Sequence, residues 1–237
     1  RELMTLKKER TRGVNRIKGL LASQGMTAQV DRKLPDQLDQ LRMWDGSRLP
    51  ARLHQRLLRE FERLQLLDRQ IRSLEEERFE EIRTSETAWV QQVRRLMDLN
   101  GIGRVTAWVY VMEIFSWRKI RNRRELASLC GLTPMPYQSG GDDREQGISK
   151  AGNRWIRALA IEVAWRWLYR QPNSELSRWY QRRFAHGNKR MRKIGIVALA
   201  RKLLIQLWRF LEDGEIPPGA ELGDWKRKLR LATAGLG

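Results

Sequence analysis

The sequence predicts an all-α protein, in which long helices with a coiled-coil pattern precede a compact helical domain containing a helix-hairpin-helix-like element. Three observations carry this. Apolar residues recur every three or four positions over most of the chain, and the period-two alternation that strands require is almost absent. Gly and Pro fall in clusters that cut the periodic stretches into segments. With 237 residues, the chain has room for one large domain or for a compact domain plus a long projecting element.

From Glu2 to about Ala22, Leu3, Leu6, Val14, Ile17 and Leu21 trace one helical face, and Gly25 ends it. Met26 to Pro50, with Pro35 and Gly46, reads as a connector in which Asp36 caps a short helix bearing Leu38 and Leu41. Ala51 to Asp98 contains neither Gly nor Pro, while Leu53, Leu57, Phe61, Leu64, Leu67, Ile71 and Leu74 form a continuous stripe. A single helix there would reach about 70 Å at 1.5 Å per residue, too long to be enclosed. Its stripe must therefore pair, with the first helix or with another subunit. The charged flank, including Arg59, Glu60, Arg63 and Glu75 to Glu77, reads as solvated coiled-coil surface and is assigned no chemistry.

Near residue 95 the composition changes to short segments, glycine turns and many aromatics. This predicts a helical linker and dimerising coiled coil at 1–95, a compact domain at 96–213 and a terminal extension at 214–237. Helices are expected at about Val105 to Ile114, Asn122 to Cys130, Lys150 to Tyr169, Ser174 to Ala185 and Lys189 to Glu212. Trp155, Trp165, Trp167, Trp179 and Trp208 read as core packing first and base stacking second.

Lys and Arg number 47 against 28 Asp and Glu, a formal charge of +19. The excess recurs on most helices, which implies a polyanionic partner gripped over a broad surface, and nucleic acid fits best. No apolar run approaches the roughly 20 residues needed to span a bilayer, so no membrane partner is expected. Cys130 is the only cysteine, which excludes an internal disulfide and a multi-cysteine metal site and suits a reducing cytoplasm. It reads as a buried small apolar residue. Arg1 opens the chain and no secretory signal pattern follows it.

Two motif groups bear on chemistry. In Leu99-Asn100-Gly101-Ile102-Gly103-Arg104, the glycines would let a turn approach a phosphate while the next helix offers amide donors, which resembles a helix-hairpin-helix element. The plainer reading is a glycine turn between packed helices. Further on come Gly131-Leu132-Thr133-Pro134, then Gln138-Ser139-Gly140-Gly141, then Ile148-Ser149-Lys150-Ala151-Gly152-Asn153-Arg154. In this order the motifs resemble the C-terminal transposase domain of the DEDD-type insertion-sequence transposases, insertion-sequence family one-ten, relatives of the Piv DNA invertases.

That resemblance covers about Leu96 to Leu211 and implies a transposase or site-specific recombinase with Ser139 as nucleophile. It also implies Mg²⁺, held by carboxylates of a RuvC-like domain that this sequence lacks, and a guide (bridge) RNA beside DNA. A homo-oligomer, dimer or tetramer, and a bacterial, nucleoid-associated cytoplasmic location go with it. No metal ligand is assigned here.

A serine hydroxyl needs a base, a metal or strong positioning to attack a phosphodiester, and cations would stabilise the transition state. Lys150, Arg154 and Arg157 are the candidates, with phosphate binding as their plainer role. Gly101, Gly103, Arg104, Gly140, Gly141, Asn153, Lys189 and Arg190 complete the expected nucleic-acid contacts. Tyr137 ranks second as nucleophile. Ser149 reads as an N-cap, His186 as a surface contact, and Asp142, Asp143 and Glu145 as solvated turn acids. The rival functional reading is a non-catalytic nucleic-acid-binding module that dimerises through its coiled coil.

Overall fold

The computed structural model describes residues 1–139 and 142–233, with the side chains of 135–139, 142–146 and 231–233 outside that description. The all-α class holds, and the described strands are limited to one antiparallel pair. The chain divides into two compact units, Arg1–Arg83 and Thr84–Gly237. The division lies upstream of the change in composition near residue 95.

In the N-terminal unit, α1 (Glu2–Ala22) and α3 (Ala51–Thr84) run antiparallel. The direction is fixed by ion pairs that step backwards along α3: Arg16 with Glu60, Arg10 with Asp68 and Lys7 with Glu75. Gly13 lets the helices close, because a Cβ there would lie 2.5 Å from Leu64 Cδ2. Ile17, Leu21, Leu57, Phe61 and Leu64 pack with Leu34 and Leu38 of α2 (Leu34–Gln40) to form the core. Of the two partners that the α3 stripe left open, the structure uses the first helix. Glu60, only 6% exposed, is held between Arg16 and Arg63, each at 2.8 Å. A buried carboxylate without such partners would be costly.

The expected single helix from Ala51 to Asp98 is corrected to two. Helix α3 ends at Thr84 and α4 spans Ala88–Asp98. Between them the Ser85 hydroxyl meets the Thr87 hydroxyl at 3.0 Å and accepts the Thr87 amide, so local polar side chains take over from the helical ladder.

The C-terminal unit is built on α7 (Arg154–Arg170) packed along α9 (Lys189–Glu212). Helix α4 packs on α5 (Arg104–Tyr110), on α9 and on α10 (Trp225–Thr233), and α6 (Arg123–Leu129) packs on α9. Helix α5 runs on through a π-helical turn, Val111–Phe115, as α8 (Glu175–Tyr180) does through Gln181–Ala185. The strands β1 (Pro134–Ser139) and β2 (Asp142–Ile148) form a hairpin, a feature the sequence pattern does not predict. Among the described residues, no helix is long and apolar enough to cross a membrane.

The segment after residue 213 is tied into this unit. Trp225 N donates to Asp98 Oδ1 at 3.0 Å, and Lys228 Nζ donates to the carbonyls of Met97 and Leu99 at the end of α4. Gln171, 1% exposed, joins three chain segments. Its amide nitrogen donates to Asn100 O at 3.0 Å and Glu221 O at 2.8 Å, and its amide oxygen accepts Glu221 N at 2.8 Å. Replacing it by leucine strands Asn100 O and Glu221 N, while Glu221 O keeps the Asn100 amide at 3.2 Å. Gln171→Leu is therefore expected to lower unfolding free energy by about 2–5 kcal/mol, measured by urea denaturation, with amide exchange at Glu221 accelerated. A loss within experimental error would show that water replaces the side chain at no cost.

Candidate nucleic-acid interface

The hairpin that carries Ser139 is mounted on two facing glycines. Gly131 has φ +62°, and a Cβ there would lie 2.1 Å from Ala151 O and 2.6 Å from Arg157 Nη1. Gly152 has φ +96°, and its Cβ would lie 2.3 Å from Leu129 O. The left-handed conformation and the absence of space both require glycine. The segments are laced by Asn153 N to Leu129 O at 2.9 Å, Ser149 N to Thr133 O at 2.9 Å and Lys150 N to Gly131 O at 3.3 Å.

Side chains complete this platform. Asn153, not Ser149, caps α7, because its Oδ1 accepts the amides of Trp155 and Ile156. The left-handed Lys150 (φ +54°) and Gly152 delay the helix start from the expected Lys150 to Arg154. Ser149 instead accepts the Thr133 hydroxyl at 3.2 Å. Asn153 Nδ2 reaches Glu113 Oε2 at 3.3 Å, tying the π-helical turn after α5 to the same point. Arg157 Nη1 donates to Lys150 O at 2.9 Å and to Cys130 O at 3.4 Å. Lys150 and Arg154 are exposed, with no acidic partner among the described residues.

From this base the strands pair with Tyr137 opposite Arg144, Gln138 opposite Asp143 and Ser139 opposite Asp142. Ser139 is thus the last residue of β1, at the connecting end of the hairpin. Gly140 and Gly141 lie outside the described residues, as do the side chains of Tyr137, Ser139, Asp142, Asp143 and Glu145. Pro134 and Pro136 sit in β1 with a register shift between them, which a two-stranded ribbon with open edges accommodates.

The second motif forms the turn from α4 to α5, and its two glycines differ. Gly101 (φ +95°) packs against α7, where a Cβ would stand 3.3 Å from Arg170 Cβ and 3.8 Å from Trp167 Cα. Gly103 precedes α5 with φ −97°, and no atom lies within 4 Å of its Cβ position. Arg104 is half-buried, and its Nη1 is enclosed with no acceptor among the described residues. The sequence-predicted contacts therefore form two groups. Lys150, Asn153, Arg154 and Arg157 lie at the start of α7, whereas Gly101 lies against its end. The 17 residues of α7 separate them by about 25 Å.

Residues 93–181 match the family described as transposase IS116/IS110/IS902. Over that segment, the chain is similar to the IS116/IS110/IS902 transposases. It is 42% identical over 230 residues to a Sinorhizobium fredii protein named for a transposase, covering 93% of this chain and 58% of that protein. It is 30% identical over 212 residues to a Pseudomonas aeruginosa protein named for a family 20 transposase, covering 87% of this chain and 60% of that one. A Coxiella burnetii protein, named as the transposase for insertion sequence element IS1111A, is 28% identical over 213 residues, with 89% and 56% of the two chains covered. The chain thus spans about three fifths of the length of these relatives.

The matched segment contains the glycine platform, the hairpin and the α4–α5 turn, while Lys189 and Arg190 follow it. These two residues are exposed in the first turn of α9, which Asn188 caps. The end of α7 lies nearby in the chain of contacts, because Trp165 stacks edge-on to Tyr180 and the Tyr180 hydroxyl donates to Arg192 O. His186 is exposed, and Trp167 is fully buried while Trp155 and Trp165 are 37% and 48% exposed. Sequence reasoning passed over Glu113 and Gln171, whose roles rest on distant backbone partners and leave no local signature.

Cys130 is fully buried beside the platform, and burial pushes its thiol up to about 12 from the ordinary 9.0. Tyr110, also buried, is raised above its ordinary 10.0 by burial. Because the folded-state values lie above the unfolded ones, this stabilisation is intact below about pH 9 and is lost as pH rises toward 12. Stability should fall by about 1.4 kcal/mol per pH unit once Cys130 titrates in the unfolded chain, with Tyr110 steepening the loss further up. Denaturation midpoints in an alkaline pH series measure this, and Cys130→Ala should flatten the first part of the curve. In the folded protein at pH below this range, DTNB should label Cys130 only on unfolding.

Proposed function

We propose that this chain is the nucleic-acid-handling part of a transposase, in which Ser139 supplies the nucleophile for DNA strand cleavage and exchange. The observation that carries the reading is the position of Ser139 within the family-matched segment. It ends β1 on a hairpin whose base is fixed by two glycines that tolerate no side chain. Positioning of that kind is what an unactivated serine requires.

In the proposed step, Ser139 Oγ bonds to phosphorus and the P–O bond to the leaving sugar breaks. The proton lost by Oγ balances the one gained by the leaving oxygen. One phosphodiester replaces another, so strand exchange needs no outside energy source. Lys150 and Arg154 stand at the hairpin base, about 17 Å of strand from Ser139, and are proposed to hold flanking phosphates, while Asn153 and Arg157 hold the platform through their hydrogen bonds to its backbone. Gly103, Arg104, Lys189 and Arg190 extend the proposed backbone contacts, and Gly140 and Gly141 are proposed as further contacts beside Ser139.

Among the described residues no group of three or more His, Cys, Asp and Glu could hold a metal ion. These residues do not fit the Mg²⁺ that the resemblance implies. The proposed partners are DNA and a guide (bridge) RNA, in a dimer or tetramer. Holding two duplexes is what favours an oligomer, since the α3 stripe is already covered by α1.

Two experiments test this. A full-length transposase containing this chain, given guide RNA, Mg²⁺ and a nicked trapping duplex, should form a denaturation-resistant protein–DNA adduct. Ser139→Ala should abolish it and Tyr137→Phe should keep it; an unchanged adduct in Ser139→Ala overturns the assignment. Binding without an adduct in the parent supports the non-catalytic module instead. Gly103→Ala should shift folding stability by less than about 1 kcal/mol, yet weaken nucleic-acid binding several-fold if the turn approaches a phosphate. Unchanged affinity would leave the turn a packing element alone.

A further inference from the structure

The segment from Trp117 to Arg124 belongs neither to the glycine platform nor to the α4–α5 turn, and it carries five exposed cations within seven residues. Arg118, Lys119, Arg121, Arg123 and Arg124 are all exposed, and none has an acidic partner among the described residues. Other cations do meet acids, among them Lys7, Arg10, Arg16 and Arg63 in the N-terminal unit and Arg166 and Arg209 in the C-terminal unit. Five cations in seven residues repel one another unless a polyanion neutralises them.

Their placement also works against the local helix. Arg123 and Arg124 occupy the first turn of α6, where the helix dipole favours acids. The helix start is held in spite of them, by Asn122 Oδ1 accepting the amides of Arg124 and Glu125 and by the Glu125 carboxylate accepting Arg121 N. A sequence that breaks a local rule and then compensates for it points to a role outside folding. Because the amides of Arg121, Arg124 and Glu125 are satisfied internally, a ligand here is met chiefly by side chains.

Trp117 adds a stacking element. It is 62% exposed, its Nε1 donates to Met112 O at 2.9 Å, and the Arg118 guanidinium lies 4.3 Å from the ring centroid. The ring is therefore held in place while most of it faces solvent. Both flanks of the segment are anchored to the platform. Glu113 upstream accepts Asn153 Nδ2, and α6 downstream ends where Leu129 O accepts Asn153 N and abuts Gly152. The seven residues of α6 place the cations about 10 Å from that anchor.

We infer that Trp117–Arg124 is a second nucleic-acid contact that takes a single strand, with phosphates on its five cations and an unpaired base against Trp117. It rests on the proposed nucleic-acid-handling role and gives that role a specific substrate form, a strand leading toward the hairpin. Unpaired bases stack on exposed aromatics without sequence preference, whereas a duplex keeps its bases inside.

The test uses the 237-residue chain with a fluorescein-labelled oligothymidylate and a duplex of the same length, followed by anisotropy over a salt series. Combining Arg118→Ala, Lys119→Ala and Arg121→Ala should weaken binding about tenfold or more and flatten the dependence of log K on log salt by roughly 2, at about 0.7 per phosphate. Trp117→Ala should weaken oligothymidylate binding about tenfold and leave duplex binding near the parent's. All four side chains are exposed, and the parent's melting temperature should be retained. A triple variant with the parent's affinity and salt slope overturns this inference alone. Equal losses on both probes in Trp117→Ala overturn the single-strand assignment. A parent chain that binds neither probe overturns the nucleic-acid reading and this inference together.

Discussion

At Gly131 and Gly152 two backbone segments meet with no room for a Cβ on either side. The C-terminal unit depends on that approach. It brings the end of α6 against the start of α7, sets the separation at which β1 and β2 leave the body, and leaves the carbonyls of Cys130 and Lys150 within reach of Arg157. Cys130 is buried by the same contact. A side chain at either glycine would collide with a carbonyl, which cannot swing away as a side chain can. The hairpin would then lose its mounting, and Ser139 its fixed origin, before any group at the tip was altered.

The charge distribution separates the two units. Residues 84–237 contain 28 of the 47 Lys and Arg but 14 of the 28 Asp and Glu, so the acids divide evenly while the cations do not. In the N-terminal unit three ion pairs between α1 and α3 fix direction and register. In the C-terminal unit, cations with no acidic partner among the described residues cluster at the start of α7, the start of α9 and the Trp117–Arg124 segment. Helix α7 spaces the first two regions, and α6 spaces the first from the third. A long polyanion is the ligand whose charge is spread over comparable distances.

The helices were legible because each buries one face, and a buried face must repeat every three or four residues. Helix α9 spans Lys189–Glu212, the range its pattern predicts. Asn122 and Ser174 mark helix starts as caps. The partner of the α3 stripe was not legible, since an apolar stripe specifies burial and not what covers it. The hairpin was missed for a related reason: six- and seven-residue strands that face no second layer need no alternation, and two prolines in β1 argue against a strand. The signal available was Gly140-Gly141 between two short runs, a two-residue hairpin connection. At the site, Ser139 rested on ordered motifs, whereas the roles of Asn153 and Arg157 inside the protein required their distant partners to be seen.

Glycines in a motif carry different information according to what they touch. Gly101, Gly131 and Gly152 each meet a backbone or side chain of this protein, and each has positive φ, so folding alone accounts for them. Gly103 meets nothing and has a φ open to any residue. As the N-cap of α5 it occupies a position that glycine commonly fills, and it is the one glycine of the four with open space at its Cβ position. The α4–α5 turn therefore combines an inward glycine that seats it on α7 with an outward one that leaves the start of α5 uncovered. A turn used only for packing needs the first; a turn that also brings backbone amides to a phosphate needs both.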